Sequence, residues 1–459
     1  MKPFFKKFLF IILILVGSLI LHFWNLNQPH EIVFDELYFG SFVNNYFTNT
    51  QYFDIHPPLG KLLIAGTVRL TGFTGTDFDF KSIGEDYQDV PLFWFRFLPA
   101  LVGSFMPLII FLFVLSLGGS RATANIAAFL TVFDNALLTQ SRFIFVDIFL
   151  LAFGFLGLTF FFWGIKNQIF KRKIFLFIIS SLFFGLSISI KWTGLGFLAP
   201  AFLYFLYDSY KHRRTILNIK IAILMGVVMS ALYFSFFVIH FFILTPKDHN
   251  ASFKSFYSTN FWQLEDRIPY KFLKPTWRYI GEFLITNQEM YLANKSITAQ
   301  HPYASAWTQW PLMQKPLYEW TKDTGQVGFL QRIYLLGNPI TWFFSTAILI
   351  LLPFWFLKLF LERKKIPAPI LFLIILYLFN WLPFALIKRP MFIYHYLSAL
   401  CAGLVITAFV TGDLMTFMKN KKWIIGTVLA AAIIFGFYKI LPLSYGLAVP
   451  DSLWFRLLL

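Results

Sequence analysis

The sequence predicts an all-α protein that crosses a membrane about eleven times. Of its 459 residues, 58% are hydrophobic and only 13% are charged, and the mean hydropathy is +0.66. That composition excludes an ordinary soluble domain, in which about a quarter of the residues are charged. No internal repeat or linker divides the chain, so residues 1–459 are expected to form one transmembrane domain. The predicted spans cover residues 8–24, 92–117, 122–139, 143–165, 174–190, 193–209, 217–244, 338–358, 367–387, 391–413 and 423–442.

The first apolar run, from Phe8 to Trp24, is predicted to be a membrane anchor. It follows Lys6 and Lys7, as a signal peptide would, but it has no small-residue cleavage site and is long enough to span. The short connections at Arg142, Lys191 and Arg389 make the boundaries of the neighbouring spans uncertain at the level of sequence. The helix count is therefore the least firmly determined part of the topology.

The distribution of basic residues predicts the orientation of the chain. A net charge of +17 would indicate nucleic acid in a soluble protein, whereas here the charges lie between apolar spans. The positive-inside rule then places the N-terminus in the cytoplasm and the C-terminus outside. The expected location is the plasma membrane, as a multi-pass chain. The expected cytoplasmic basic residues are Lys166, Lys171, Arg172, Lys173, Lys211, Arg213, Arg214, Arg363, Lys364, Lys365, Lys419, Lys421 and Lys422.

Two predicted outer segments are too long to be simple turns: residues 25–91 and residues 245–337. They contain most of the Asp and Glu of the chain, and they carry Trp, Tyr, Pro and His rather than low-complexity sequence. Long loops inside a compact domain are commonly functional. We expect both loops to fold against the membrane with short amphipathic helices, and we expect the active site there, on the extracytoplasmic face.

The first outer loop begins with two adjacent carboxylates, Asp35 and Glu36. Successive residues of a helix point about 100° apart, so one side chain can face a cavity while its neighbour contacts protein. The alternative is a helix start with acidic residues near its positive end.

Further along the same loop, Asp54 and His56 precede two prolines, a glycine and Lys61. The prolines impose an extended entry followed by a new helix, which would hold these side chains at a fixed turn. A rigid loop without chemistry is the simpler interpretation. A metal site has less support, because His56 has no second His at ligand spacing.

Three cationic positions at outer membrane edges break the positive-inside pattern: Arg142, Lys191 and the pair Lys388-Arg389. Ionisable residues at such depth are candidates for function, although any one of them could be a snorkelling anchor. Together they could hold an anionic head group such as a lipid phosphate. Asp134 and Asp147 lie in or beside spans and should pair, and a structural Arg142–Asp147 ion pair is an equal alternative.

The late outer loop contains an aromatic and proline-rich stretch that includes His301 and Tyr303 and ends near Trp310. Such a stretch next to a membrane could anchor the loop at the interface. It could equally form walls that stack against a sugar or a peptide.

Several strings resemble the protein O-mannosyltransferases, polytopic enzymes of the GT-C glycosyltransferase class. They run through most of the chain in family order, and the string His-Pro-Pro-Leu-Gly-Lys is specific. The strings are Phe-Asp-Glu at 34–36, Asp-Ile-His-Pro-Pro-Leu-Gly-Lys at 54–61, Ser-Arg-Phe-Ile-Phe-Val-Asp at 141–147, Ile-Lys-Trp-Thr-Gly at 190–194, His-Pro-Tyr-Ala-Ser at 301–305, Gly-Asn-Pro at 337–339 and Arg-Pro-Met-Phe-Ile-Tyr-His-Tyr at 389–396, which includes Tyr394 and His395.

This resemblance implies a GT-C-type helical bundle, a polyprenyl phosphate mannose donor, and Ser or Thr hydroxyls of exported proteins as acceptors. It maps the family's acidic pair onto Asp35 and Glu36 and its important arginine onto Arg142. Family members often pair, so a dimer is also implied. Eukaryotic members carry a soluble MIR domain in the late outer loop. Residues 245–337 are too few to hold it, so the chain resembles a compact bacterial-type member.

The expected mechanism is an inverting transfer in which Asp35 is the general base and Glu36 orients it or the acceptor. Arg142, Lys191 and Arg389 would bind the donor phosphate, and Asp54, His56, Lys61, His301, Tyr303, Tyr394 and His395 would support the site. No tightly bound cofactor, metal cluster or nucleotide-binding glycine loop is expected. The alternatives are a GT-C enzyme that moves another sugar, such as aminoarabinose, to a lipid or glycan, and a transporter.

Overall fold

The computed structural model describes residues 2–213, 215–244, 275–298, 300–417 and 422–450. Helices dominate these ranges. Two segments of the predicted topology, the loop residues 245–274 and the basic residues Arg214, Lys419 and Lys421, lie outside them. The helices are α1 (Lys2–Phe23), α2 (Glu36–Thr48), α3 (Leu59–Arg69), α4 (Leu92–Leu117), α5 (Arg121–Val132), α6 (Asn135–Arg142), α7 (Asp147–Lys166), α8 (Phe170–Ile190), α9 (Leu195–Lys211), α10 (Thr215–Ile243), α11 (Pro275–Ser296), α12 (Pro339–Leu361), α13 (Ala368–Phe379), α14 (Leu397–Phe417) and α15 (Lys422–Tyr445).

Helices cover most of each predicted span, and the multi-pass helical fold is confirmed. The count of eleven is not. In the described part of the chain, eight helices are long and apolar enough to cross a membrane, or nine if the bent pair α5–α6 is one span. The apolar part of α1 (Phe8–Phe23) is shorter, and α9 has only 17 residues. A helix rises about 1.5 Å per residue, so these two fall short of a hydrocarbon core about 30 Å thick unless the bilayer adapts.

The predicted span at residues 122–139 is broken in two. α5 and α6 meet at an angle of 59°. Asp134 lies at the break with extended backbone, and its Oδ1 accepts a hydrogen bond of 3.0 Å from the backbone N–H of Leu137. Asp134, which was expected to pair with a cation, is therefore the N-cap of α6.

The centre of the bundle is α7, which packs directly against both α4 and α8. Two glycines of α7 allow the close approach of large rings. A Cβ at Gly154 would lie 2.5 Å from the ring of Phe197, and one at Gly157 would lie 2.7 Å from the ring of Phe184. At these two positions, large aromatic rings pack against glycines of a neighbouring helix.

The first outer loop contains α2 and α3, and α3 begins directly after the two prolines as predicted. The late outer loop differs from the expectation of helices alone, because after α11 it forms a hairpin of β1 (Leu317–Asp323) and β2 (Phe329–Leu335). A third strand, β3 (Ala448–Pro450), pairs antiparallel with β2. The first four residues of β1 are buried or half-buried and its last three are exposed.

The hairpin packs against the beginning of the first outer loop. Trp320 Nε1 donates a hydrogen bond of 2.9 Å to Glu31, and Lys322 forms an ion pair with the same carboxylate. The backbone N–H of Phe34 donates to the carbonyl of Glu319 at 3.1 Å. The two long loops therefore share one face of the bundle, and they meet at the acidic pair.

Candidate active site

The acidic pair lies on a tight turn that leads into α2. Phe34 has φ +40°, an uncommon value for a bulky residue, and it is held there by its hydrogen bond to Glu319. Asp35 is the N-cap residue of α2, but its side chain makes no capping hydrogen bond. The Asp35 carboxylate therefore does not cap α2, which contradicts the simple helix-start interpretation.

The Glu36 side chain is fully buried, and protein groups donate all of its hydrogen bonds. Its carboxylate accepts two hydrogen bonds of 2.7 Å from the guanidinium of Arg96. It also accepts from the backbone N–H groups of Val33 and Ile144, both at 3.0 Å, and from the hydroxyl of Tyr87 at 3.1 Å. Five donors fill the carboxylate, so Glu36 cannot contact substrate in this arrangement. Its geometry agrees with the orienting role and not with a direct catalytic one.

Arg96 was missed by the sequence analysis, although a signal was present. It is an arginine inside the apolar run 92–117, and an ionisable residue in a span marks a buried partner or a site. The guanidinium also donates to the carbonyls of Leu26 at 3.2 Å and Pro29 at 2.9 Å. Arg96 therefore ties the start of the first outer loop to α4.

Asp35 itself is half-buried, and in the described part of the chain its carboxylate forms neither a hydrogen bond nor an ion pair. Burial raises the pKa of Asp35 to about 7, opposed by the nearby charge of Lys191 and reinforced by those of Asp147 and Asp54. A base with a pKa near neutrality is well matched to proton transfer at physiological pH.

Lys191 and Asp147 form a buried ion pair next to this turn. Lys191 Nζ lies 2.8 and 2.9 Å from the two oxygens of Asp147, and Gln140 Nε2 donates to Asp147 Oδ2 at 3.1 Å. Lys191 Nζ also lies 5.2 Å from the ring centroid of Tyr394. The proposed Arg142–Asp147 ion pair is therefore wrong: the partner of Asp147 is Lys191.

Arg142 does not reach the cavity described below. Its guanidinium is fully buried and donates to the carbonyls of His22 at 2.9 Å, Trp24 at 2.8 Å and Asn25 at 3.1 Å. It lies 4.0 Å from the ring centroid of Tyr445. These carbonyls belong to the C-terminal end of α1, where unpaired oxygens and the helix dipole attract a cation. Arg142 closes this helix end, and the expectation that it binds phosphate is corrected.

A cavity of about 810 Å³ is lined by Lys191 and Tyr394, both electrostatically coupled to Asp35, but Asp35 itself is not among its lining residues. Arg389 lines it, half-buried and without an ion pair or hydrogen bond to any described residue. Lys388 and Lys295, both exposed, also border the cavity. Other polar side chains of its wall are His56, Asp147, Lys191, Asn294, Tyr394 and His395.

The predicted turn at residues 54–61 forms one wall of this region. Lys61 forms a buried ion pair with Asp54 and donates to the carbonyl of His56 at 3.0 Å, while the N–H of His56 donates to Asp54 at 3.2 Å. Burial, then the charges of Lys191, Lys61 and Arg389, hold the pKa of His56 well below its usual range. His56 is thus neutral among cations, and the site favours an anion.

The predicted aromatic residues of the site divide into two groups, one in the segment before α14 and one in the late outer loop. Tyr394 and His395 line the cavity and stack on each other, with ring centroids 4.4 Å apart. His301 and Tyr303 do not line it: His301 packs edge-on against Phe34 at 6.3 Å, and Tyr303 stacks on Tyr318 at 5.3 Å. The second group joins the hairpin to the acidic turn, so its contribution is to packing.

Over the ranges that the structure covers, no group of three or more His, Cys, Asp and Glu side chains is arranged to hold a metal ion.

Two family models match the chain. The model described as dolichyl-phosphate-mannose-protein mannosyltransferase matches residues 12–245, just over half of the chain. The model described as the C-terminal four TMM region of protein-O-mannosyltransferase matches residues 279–458.

Curated relatives carry related names. Protein O-mannosyltransferase 1 of Drosophila pseudoobscura pseudoobscura is 46% identical over 138 residues, which are 30% of this chain and 15% of the relative. Dolichyl-phosphate-mannose--protein mannosyltransferase 1 of Saccharomyces cerevisiae is 32% identical over 264 residues, covering 54% of this chain and 32% of the relative. The matched segments make up 15% of the length of the Drosophila relative and 32% of the length of the yeast relative.

Solved structures share the fold. The S. cerevisiae protein O-mannosyltransferase Pmt1-Pmt2 complex bound to the sugar donor gives a TM-score of 0.84 at 18% identity, over 96% of this chain and 90% of that chain. ArnT from Cupriavidus metallidurans in the apo state gives 0.52 at 15% identity, over 94% and 64%. Likeness at such identities concerns the fold alone.

Proposed function

Because the chain belongs to the dolichyl-phosphate-mannose-protein mannosyltransferase family, we propose that it transfers mannose from a polyprenyl phosphate mannose to Ser or Thr hydroxyls of exported proteins. The reaction would be inverting and would take place on the extracytoplasmic side of the plasma membrane. A dimer would be the functional assembly, a proposal supported by the fold similarity to the Pmt1-Pmt2 complex.

The observation that carries this proposal is an unpaired carboxylate whose charge is coupled to a lysine in the wall of a cation-lined cavity. Asp35 has no protein partner in the described ranges, and its charge is coupled to that of Lys191 in the cavity wall. Arg389 is an available donor in the same wall. An arginine fork matches the geometry of a phosphate group. The cavity is otherwise mostly apolar, which suits the lipid end of the donor.

The transfer needs only one carboxylate. The acceptor oxygen attacks the anomeric carbon of mannose from one side, and the bond from that carbon to the phosphate oxygen breaks on the other. The acceptor proton goes to Asp35, and the electron pair of the broken bond stays on the phosphate. Phosphate leaves as a stable anion without protonation, unlike the leaving group in glycoside hydrolysis, where a second carboxyl serves as acid. Arg389, together with Lys191, would stabilise the charge that develops there.

The proposed function is tested with purified protein in detergent, labelled polyprenyl phosphate mannose and a Ser/Thr-rich peptide. We expect labelled peptide, with the mannose on a hydroxyl side chain by mass spectrometry. Label that enters only lipid or glycan would instead support a GT-C enzyme of another acceptor class. Movement of the donor across vesicles without any product would support a transporter.

The pH dependence of the reaction should report the raised pKa of Asp35. The base acts only when ionised, so kcat/KM should rise with pH and reach half its plateau near the pKa of about 7. At about pH 5, two units lower, only about 1% of the carboxylate is ionised, and kcat/KM should fall about 100-fold. The measurement is a pH profile between about pH 5 and pH 9 with the donor below saturation.

An aspartate of ordinary pKa would be ionised throughout this range, so a flat profile down to about pH 5 would contradict the assignment. Protein returned from acid to neutral pH before the assay is the control. It should recover full activity, because the expected loss arises from protonation and not from unfolding.

Replacement of Arg389 by Gln should weaken use of the donor. A charge-assisted hydrogen bond is worth about 1.5–3 kcal/mol, so we expect kcat/KM for the donor to fall by about 10-fold or more. Thermal stability should stay close to the parental value, because Arg389 makes no ion pair with the described residues. Arg363→Gln, an exposed position outside the cavity wall, is the matched control. If kcat/KM for the donor were the same in both variants, the assignment of Arg389 to the phosphate site would be wrong.

A further inference from the structure

Glu319 lies at an irregular point of the hairpin. In the pairing of β1 with β2, Tyr318 faces Tyr334 and Trp320 faces Ile333, so Glu319 is an extra residue in a β-bulge. Bulges next to active sites redirect a side chain. The carbonyl of Glu319 accepts the hydrogen bond from Phe34, the residue directly before Asp35.

The side chain of Glu319 is buried without a partner. Only 1% of the residue is exposed, and in the described structure neither carboxyl oxygen has a hydrogen-bond partner. A buried carboxyl without a partner is destabilising and is rare in native proteins, so it calls for a functional explanation. The burial of Glu319 could not be predicted from the sequence, because an acidic residue in a loop is ordinarily solvated.

The groups that face Glu319 are themselves acidic or phenolic. Burial, followed by the charges of Asp35 and Glu36, raises the pKa of Glu319 well above its usual range. Tyr394 from the cavity wall is also within its electrostatic reach. The nearby cations are already directed elsewhere: Arg96 to Glu36 and Lys191 to Asp147. Glu319 is consequently a neutral carboxylic acid, which has one O–H to donate.

We propose that Glu319 is a positioning residue of the catalytic base: its carboxylic acid donates a hydrogen bond to the Asp35 carboxylate when substrates are bound, and so fixes the oxygen that receives the acceptor proton. This inference rests on the proposed transferase function. The bulge makes Glu319 an extra residue of β1, and this residue is buried. The Phe34–Glu319 backbone hydrogen bond keeps the strand in register with the acidic turn. A neutral acid that donates to a reacting group is an established device of enzymes.

The test compares two replacements of Glu319 in the full-length protein. Glu319→Leu has similar volume and no hydrogen-bond donor. It should raise the melting temperature, because an unpartnered buried polar group is removed, and still lower kcat by about 10-fold or more with the donor KM unchanged. Glu319→Gln keeps an uncharged donor, and its kcat should stay within about 3-fold of the parental value.

Thr321→Val is the control within the same strand. It removes a hydrogen bond of the hairpin, from Thr321 to the carbonyl of Gln331, and leaves the carboxyl cluster intact. Its kcat should be parental. Glu319→Met serves as a second apolar variant if the leucine variant does not accumulate as folded protein.

A purely structural Glu319 gives a different pattern. Parental kcat in a folded leucine or methionine variant would overturn the inference, and so would an equal loss in the glutamine and leucine variants. Failure of the parental protein itself to label a peptide would overturn the proposed function instead, so the two failures are distinguishable.

Discussion

Replacement of Asp35 by Asn is expected to lower kcat by about 10²–10⁴-fold, the usual contribution of a general base. Asparagine keeps the shape of the side chain but cannot accept the proton of the acceptor hydroxyl. Folding should be little affected, because the Asp35 carboxylate makes no hydrogen bond or ion pair with the described residues. The measurement is the rate of mannose transfer to peptide at saturating donor.

Asp89→Asn is the matched control for this variant. It makes the same change in the same outer loop, at an exposed position with no described side-chain partner. Its activity should equal that of the parental protein. Transfer by Asp35→Asn at the parental rate would show that another group takes the proton, and the proposed mechanism would then be wrong.

The second large effect is expected on stability, from Arg96→Met. The methionine side chain roughly fills the space of the arginine stem, but the Glu36 carboxylate is left buried without its cation. Breaking a buried ion pair from one side costs about 3–5 kcal/mol. Both partners are fully buried here, and Glu36 also organises the backbone at Val33 and Ile144. We expect a clearly lower melting temperature and, because the acidic turn loses its support, a loss of activity.

The comparison protein is Arg69→Met, an exposed arginine at the end of α3. Thermal unfolding of the detergent-solubilised proteins should leave this control unchanged. If the melting temperature of Arg96→Met equalled the parental value, the buried Glu36 carboxylate would not depend on Arg96 for its stability. The proposed role of the Arg96–Glu36 ion pair in holding the turn would then be wrong. The double variant Arg96→Met with Glu36→Gln should recover part of the stability, since it removes the unpaired charge.

The sequence motifs were sufficient to predict the family, which the family models confirm. Long apolar runs predicted where helices lie, because burial in lipid demands continuous helical segments. They were less reliable for counting spans. The bend at Asp134 and the short helices α1 and α9 depend on local caps and packing that a hydropathy pattern does not contain.

The partners of the charged residues could not be predicted in the same way. Arg142 and Asp147 are five positions apart in sequence, and their pairing was a reasonable expectation. The structure instead pairs Asp147 with Lys191, 44 positions away, and Glu36 with Arg96, 60 positions away. A buried charge is stabilised by whichever donor the folded backbone brings within about 3 Å, and sequence spacing carries little information on that choice.

The amino-acid sequence by itself therefore determined the membrane fold, the family and the segments that carry the candidate site. Only the tertiary structure decided which described acids are unpaired, which cations line the cavity, and that the backbone of Glu319 in the late loop hydrogen-bonds to Phe34, next to Asp35. The physical reason is that apolar periodicity is a local property of the chain. The ionisation and hydrogen bonding of a buried group depend on atoms that come together only when distant segments pack.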